Sequence, residues 1–301
     1  MPEYRAHFDA RVAFANGGGL STEGFRLDLP TGDERADEIG RLFVQHLGLA
    51  MVGSVELANL TIVEEPHKGS RGIATAPAGG PGRIVDLSHV IHEGLVTYPG
   101  LPAPVFTPHL TREDSRARYA PGTEFAMDVI TMIGNTGTYL DSPFHRYADG
   151  ADLAGLDLAT LVDLPAHVFH LTDLATRGIP AGVFLDRDDL RGAAVLLHTG
   201  WDRHFGTPAY GTGSPYLEAE AVEYLVARGV ALVGIDALNI DDTESGGERP
   251  AHSQLLGAGI HVVEHLTRLG DLPARGARFT AAPPAVRGFG TFPVRAFAVI
   301  R

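Results

Sequence analysis

From Arg83 onward the chain carries short runs that are apolar at almost every position. They are Ile84–Leu87, Ala166–Leu171, Ala193–His198, Ala231–Ile235 and Ile260–Val263, with further strand candidates at Phe125–Met132, Arg278–Ala282 and Val294–Ile300. A strand with one wet face alternates apolar and polar residues, so runs without alternation ask for sheets covered on both faces. Helix candidates fall between them at Asp157–Val162, Arg187–Arg191, Glu218–Arg228 and His252–Leu256, and frequent prolines mark the loops. Strands alternating with helices predict an α/β fold.

A composition break precedes this region. Residues 69–82 (GSRGIATAPAGGPG) are rich in Gly, Ala and Pro without any apolar period, and read as a linker. Residues 1–68 form a separate small unit. Ala6–Phe14 and Phe25–Leu29 read as strands flanking an Asn-Gly-Gly-Gly turn. Asp33 is placed to cap a helix from Glu34 to Leu47, and Val52–Val63 reads as a longer strand. A strand-strand-helix-strand unit of this size buries little apolar surface alone, so it is expected to dock on the larger domain or on a partner subunit.

Charge and composition exclude whole classes of function. A formal net charge of -13 disfavours nucleic acid, since phosphate binding needs a dense basic surface. There is no cysteine, which removes disulfides, thiolate metal sites and cysteine nucleophiles. Lys68 is the only lysine and so the only residue that could form a Schiff base. No run approaches the roughly 20 apolar residues that span a bilayer, and the N-terminus does not read as a signal peptide. No membrane partner and a cytoplasmic location are therefore expected.

Chemistry concentrates in Gly134-Asn135-Thr136-Gly137-Thr138-Tyr139-Leu140-Asp141-Ser142-Pro143-Phe144-His145. No helical period runs through it. Gly137 permits positive φ and Pro143 stiffens the chain before His145, so a bent loop can converge Asn135, Tyr139, Asp141 and His145. Taken alone, Asp-x-Pro-x-His is more often an ordinary loop. A second cluster holds His252, opening a helix, and Glu264, closing an apolar strand where it would be costly to bury without a partner. The acidic run Asp241–Glu248 lacks the ligand spacing of a calcium loop and reads as solvated. Gly-x-Ser-x-Gly is absent, so a serine triad has no support.

These motifs, in order from Arg83 to the end, resemble the cyclase family that contains kynurenine formamidase and isatin hydrolase. Val85-Asp86-Leu87-Ser88-His89, His198-Thr199-Gly200-Trp201, Gly234-Ile235-Asp236 and Pro293-Val294-Arg295-Ala296 carry the resemblance along with the two clusters. It implies a swivelling α/β/α domain with a mixed sheet over residues 83–301, a small-molecule substrate, and a homodimer or higher homo-oligomer. It also implies a core motif His-x-Gly-Thr-His-x-Asp-x-Pro-x-His, whose first two histidines, aspartate, later histidine and later glutamate bind one or two divalent ions. The last motif histidine is the general acid/base.

This chain departs from that motif at both ligand histidines, which are Asn135 and Tyr139. Carried across residue by residue, Asp141, His252 and Glu264 remain as ligands for one divalent ion, if one is bound. His145 remains as the acid/base. Two carboxylates and an imidazole lean toward manganese, magnesium or iron more than zinc. The alternative is a metal-free hydrogen-bonded network of Tyr139, His145, Asp141 and Glu264, with Asn135 orienting a carbonyl. Three functions stay open: hydrolysis of a small amide, lactam or ester with His145 as general acid/base; a metal-independent cyclase or lyase of secondary metabolism that moves protons through Tyr139 and His145; and a non-catalytic binder.

Overall fold

The computed structural model describes residues 4–49, 51–64 and 82–301. The expected linker therefore lies outside the described residues, apart from Gly82, as does Lys68. The chain divides into two compact units, Met1–Ala78 and Gly79–Arg301.

In the first unit, β1 (Tyr4–Phe14) pairs antiparallel with both β2 (Gly19–Leu29) and β3 (Val52–Glu64), and α1 (Ala36–His46) connects β2 to β3. Its own core forms around Phe8, Val12, Ile39 and Phe43. The helix cap differs from the expectation. Arg35, not Asp33, occupies the N-cap, and the Glu38 side chain reaches back to accept from its N–H at 2.9 Å, while Asp33 accepts from the Thr31 hydroxyl.

The second unit is built on a nine-stranded mixed sheet. Four strands, β8 (Leu164–His170), β10 (Ala194–His198), β12 (Leu232–Ile235) and β13 (His261–Glu264), run parallel at its centre. Beyond β13, β7 (Tyr139–Asp141) and β15 (Thr291–Pro293) are antiparallel. At the other end β14 (Ala277–Thr280), β16 (Phe297–Ile300) and β4 (Arg83–Asp86) are antiparallel as well. This is the α/β fold with a mixed sheet that the sequence predicts. One face packs on α3 (Ala219–Arg228) and α4 (Pro250–Gly257) through Val222, Leu225, Leu255 and Leu256. The other face, with Leu140, Val168, Leu196, Val263 and Phe279, is covered by Leu161, Leu266 and Leu269, from loops and 3-10 turns.

Three local readings need correction. Arg187–Arg191 is not helical, because five residues cannot repay nucleation and Leu190 is drawn into the core. At Asp157–Val162 only a 3-10 turn forms, Leu158–Thr160. The apolar run near Phe125 forms β6 (Met127–Thr131), but it pairs only with β5 (Val105–Leu110), and both stand outside the large sheet with Phe106, Val129 and Ile130 exposed. It is thus not covered on both faces. Two short strands, β9 (Gly178–Ile179) and β11 (Tyr216–Leu217), and a one-turn helix, α2 (Arg112–Ser115), complete the strands and α-helices among the described residues. Among the described residues no helix is long and apolar enough to cross a membrane.

The sequence motifs away from the cleft brace the frame. Asp86 receives both Nε and Nη2 of Arg295 at 3.0 and 2.6 Å, tying the first strand to the last motif. Buried Asp236 accepts from Thr199 N, Thr199 Oγ1 and Gly200 N. Trp201 packs against the helical face of the core and is not a wall of the cleft.

One backbone contact joins frame to site. Gly290, N-terminal to β15, lies against the 143–145 turn, and an added Cβ would come within 2.5 Å of the His145 Cα. Gly290→Ala is expected to cost about 1–3 kcal/mol by overpacking and to displace His145, whereas Gly182→Ala, where a methyl meets nothing within 4 Å, stays within ~0.5 kcal/mol of wild type. Urea unfolding of both variants checks this; equal stability would mean the 290 backbone has room to retreat.

Candidate active site

Strand register builds the site. In the β7–β13 pair Tyr139 lies opposite Glu264, and in the β7–β15 pair Asp141 lies opposite Thr291. The period of two puts Tyr139 and Asp141 on one face of β7 and sends Leu140 to the core on the other. The motif read as a loop is therefore a strand where it matters most. Gly137 makes the turn into it at φ +66, and Pro143 opens the 3-10 turn that carries His145.

Asn135, Tyr139, His145, His252 and Glu264 all line one cavity of about 500 Å³. Asp141 sits behind it, fully buried. The six residues singled out from the sequence are thus gathered in one place, across more than a hundred residues of chain.

The buried acids are anchored by hydrogen bonds from named donors. Asp141 Oδ1 accepts from the Thr291 hydroxyl, and its Oδ2 is buried without a hydrogen-bond partner. Glu264 Oε2 accepts from Tyr139 Oη at 2.7 Å, and Oε1 from the Ile240 N–H at 2.7 Å. His252 Nδ1 donates to Asp241 Oδ2 at 2.7 Å, so Nε2 faces Asp141 Oδ2 at 3.5 Å and Glu264 Oε1 at 3.6 Å. Asp241 also accepts from Ala251 N and His252 N, which caps α4 and fixes His252 at once. Asp241 is buried, which overturns its reading as part of a solvated acidic loop; the helix start has no cap of its own and draws this acid inward.

The ionisation pattern follows. Burial pushes Glu264 up to about 7 against the pull of His252, with the Asp141 charge adding to the rise. Burial would raise Asp141 too, but His252 and His145 outweigh it and hold the carboxyl below the usual range. Burial would lower His252, yet the carboxylates of Glu264, Asp141 and Asp241 carry it well above an ordinary imidazole. Tyr139 is raised well above 10 by burial and by the charges of Glu264 and Asp141, so it is a neutral donor.

Two further residues, missed in the sequence, complete a directional chain. Tyr139 has spent its only proton on Glu264, so its contact with His265 Nε2 at 3.2 Å requires an N–H there. Burial pushes His265 to about 3, so it is neutral and Nδ1 must accept from Tyr210 Oη at 2.8 Å. Every proton from Tyr210 to His265 to Tyr139 points toward Glu264. A parallel argument fixes His145. The Thr291 proton goes to Asp141, so His145 Nδ1, 2.7 Å from Thr291 Oγ1, carries a hydrogen, and the neutral ring keeps its lone pair on Nε2.

The residues present fit a divalent ion. His252 Nε2 stands 3.5 Å from the orphaned Asp141 Oδ2 and 3.6 Å from Glu264 Oε1. That is too far for good hydrogen bonds and near the roughly 3.0–3.4 Å between ligand atoms that share an ion at about 2.1 Å. Asp141, His145 and His252 also form a group whose ligand atoms lie within 4.8 Å of one another.

Residues 85–242 match the Cyclase family model, described as "Putative cyclase". A kynurenine formamidase of Geobacillus thermodenitrificans is 33% identical over 215 residues, which is 70% of this chain and 95% of that protein. Among solved structures, an isatin hydrolase bound to the product analogue thioisatinate is similar with a TM-score of 0.63 at 24% identity, covering 72% of this chain and 92% of that one. A structure described as a potential metal-dependent hydrolase with cyclase activity has a TM-score of 0.59 at 28% identity and covers 73% and 98%.

The raised Glu264 has a thermodynamic consequence. Between its ordinary 4.5 and about 7 the folded form holds this proton and the unfolded form has lost it, so folding takes up a proton and weakens as pH rises. In chelator, the stability of wild type minus that of Glu264→Gln should therefore fall from pH 4.5 to 7, read by urea unfolding. A difference that grows over that range would mean Glu264 is already ionised in the fold at pH 5.

Proposed function

The chain belongs to the cyclase family, and from that premise we propose that it hydrolyses the C–N bond of a small amide or lactam with His145 as general acid/base. The observation that carries this reading is the orientation of His145. The Thr291–Asp141 hydrogen bonds hold Nδ1–H and leave Nε2 as the base beside the cavity.

In this reading His145 Nε2 removes a proton from water as the oxygen adds to the carbonyl carbon. It returns that proton to the departing nitrogen as the C–N bond breaks, leaving a carboxylic acid and an amine. Asn135, on the cavity wall, donates its amide N–H to the carbonyl oxygen as charge develops there. Asp141, His252 and Glu264 would hold a divalent ion, and such an ion supplies Lewis acidity that polarises a carbonyl and acidifies water. Tyr139 holds Glu264 in place. Its proton is committed to Glu264 and its acidity is suppressed by burial, which favours hydrolysis over the metal-independent cyclase in which Tyr139 moves protons. The exposed β5–β6 pair, with Val105, Phe106, Val129 and Ile130, supports the homo-oligomer that the family resemblance implies.

His145→Ala should lower turnover of a formanilide-type amide by at least about 10²-fold with unchanged circular dichroism. Tyr139→Phe should lower it by about 10-fold and weaken manganese binding. Near-normal turnover in His145→Ala would remove the acid/base assignment and, with it, this reading.

A further inference from the structure

We infer that the pocket takes a substrate bearing an anionic group, a carboxylate, which Arg146 and Arg249 hold at the pocket wall while the bond to be broken lies at His145. This deepens the hydrolytic reading and rests on it for the second half of the statement only.

Some arginines, such as Arg116, Arg177, Arg268, Arg278 and Arg295, are paired with carboxylates. Others, such as Arg11, Arg118 and Arg203, make no ion pair among the described residues, so an unpaired guanidinium is not itself unusual in this chain. What distinguishes Arg146 and Arg249 is that both line the cavity and neither makes an ion pair among the described residues. Both are nonetheless anchored. Arg146 Nε donates to Ser253 Oγ at 3.3 Å and its guanidinium lies 5.3 Å from the Tyr147 ring centre. Arg249 Nη1 donates to the Glu248 and Asp242 carbonyls at 2.7 and 3.3 Å. Both Nη groups of Arg146, and Nε and Nη2 of Arg249, make no hydrogen bond to a described residue. These are planar forks held from behind with donors unspent, the form of guanidinium that captures a carboxylate.

Position in the chain adds to this. Arg146 follows His145 directly, and Arg249 stands three residues before His252, so each cation is tied to one of the site's imidazoles. The deep end of the site holds Asp141, Glu264 and Asp241 and would repel an anion, which places the carboxylate toward the two arginines. Leu101 and Ile133 on the cavity wall give an apolar seat for the hydrocarbon between the two ends. A cavity of about 500 Å³ holds a one-ring acid.

The test separates charge recognition from turnover. Titration calorimetry with 2-aminobenzoate and with its methyl ester compares an anion with a neutral molecule of the same shape. The full-length protein should bind the acid at least about 10-fold more tightly. Arg146→Gln and Arg249→Gln should each remove most of that preference, Arg→Lys should keep part of it, and Arg116→Gln should change nothing. Equal affinity for acid and ester, or a preference that survives the double Gln variant, overturns the inference. In the kinetic arm, 2-formamidobenzoate and its methyl ester are the probes, and the Gln variants should raise KM for the acid with kcat nearly unchanged. Arginine-dependent binding of the acid without turnover of either probe would sink the hydrolytic reading and leave the anion site standing. Turnover of both probes equally, in wild type and variants alike, would do the reverse.

Discussion

The antiparallel register of β7 between β13 and β15 is the constraint on which the site depends. It sets Tyr139 against Glu264 and Asp141 against Thr291. A slip of one residue would turn Tyr139 and Asp141 into the core and Leu140 into the cleft, exchanging a buried leucine for a buried carboxylate. Leu140 and Val263, both fully buried on the opposite face, are what forbid that slip. The apolar core thus specifies the placement of Tyr139, Asp141, Glu264 and Thr291 through the sheet's period of two.

Once register has placed the acids, electrostatics decides how they are kept. Asp141, Glu264 and Asp241 surround one imidazole, His252, in a volume shielded from water. Burial, with the neighbouring Asp141 charge, pushes Glu264 up to about 7 against the pull of His252. Asp241 accepts backbone N–H groups at the start of α4. The three acids thereby take different roles. Asp241 orients His252, Asp141 offers a free oxygen, and Glu264 carries the adjustable proton.

Much of this was legible in the sequence. The spacing of Asn135, Tyr139, Asp141 and His145, a histidine opening a helix and a glutamate closing an apolar strand picked out six residues, of which five line one cavity and Asp141 lies buried behind it, and runs without alternation announced a sheet covered on both faces. What escaped was set by long-range pairing. Thr291 is an ordinary threonine until β15 lies beside β7. Asp241 sat in a run of acids, and nothing local told which one turns inward. A signal did exist, since α4 begins Arg249-Pro250 with no side chain able to cap it, and an uncapped helix start calls for an acid from elsewhere. His265 takes the left-handed φ of +56, uncommon outside glycine, and that turn, invisible in sequence, brings its ring to Tyr139.

The two positions where the family resemblance implies ligand histidines are where this chain's site acquires its direction. A histidine at 139 would offer a lone pair, whereas the Tyr139 phenol offers a proton, and the Tyr210–His265 pair behind it can only push that proton toward Glu264. The result is a glutamate fixed through Oε2, with Oε1 held by Ile240 and turned to His252. Asp141 is fixed through Oδ1 in the same way, with Oδ2 free. One oxygen of each acid thus faces the same nitrogen, His252 Nε2, at 3.5 and 3.6 Å, while Asn135 and Tyr139 present an amide and a neutral phenol where the family resemblance implies lone-pair donors.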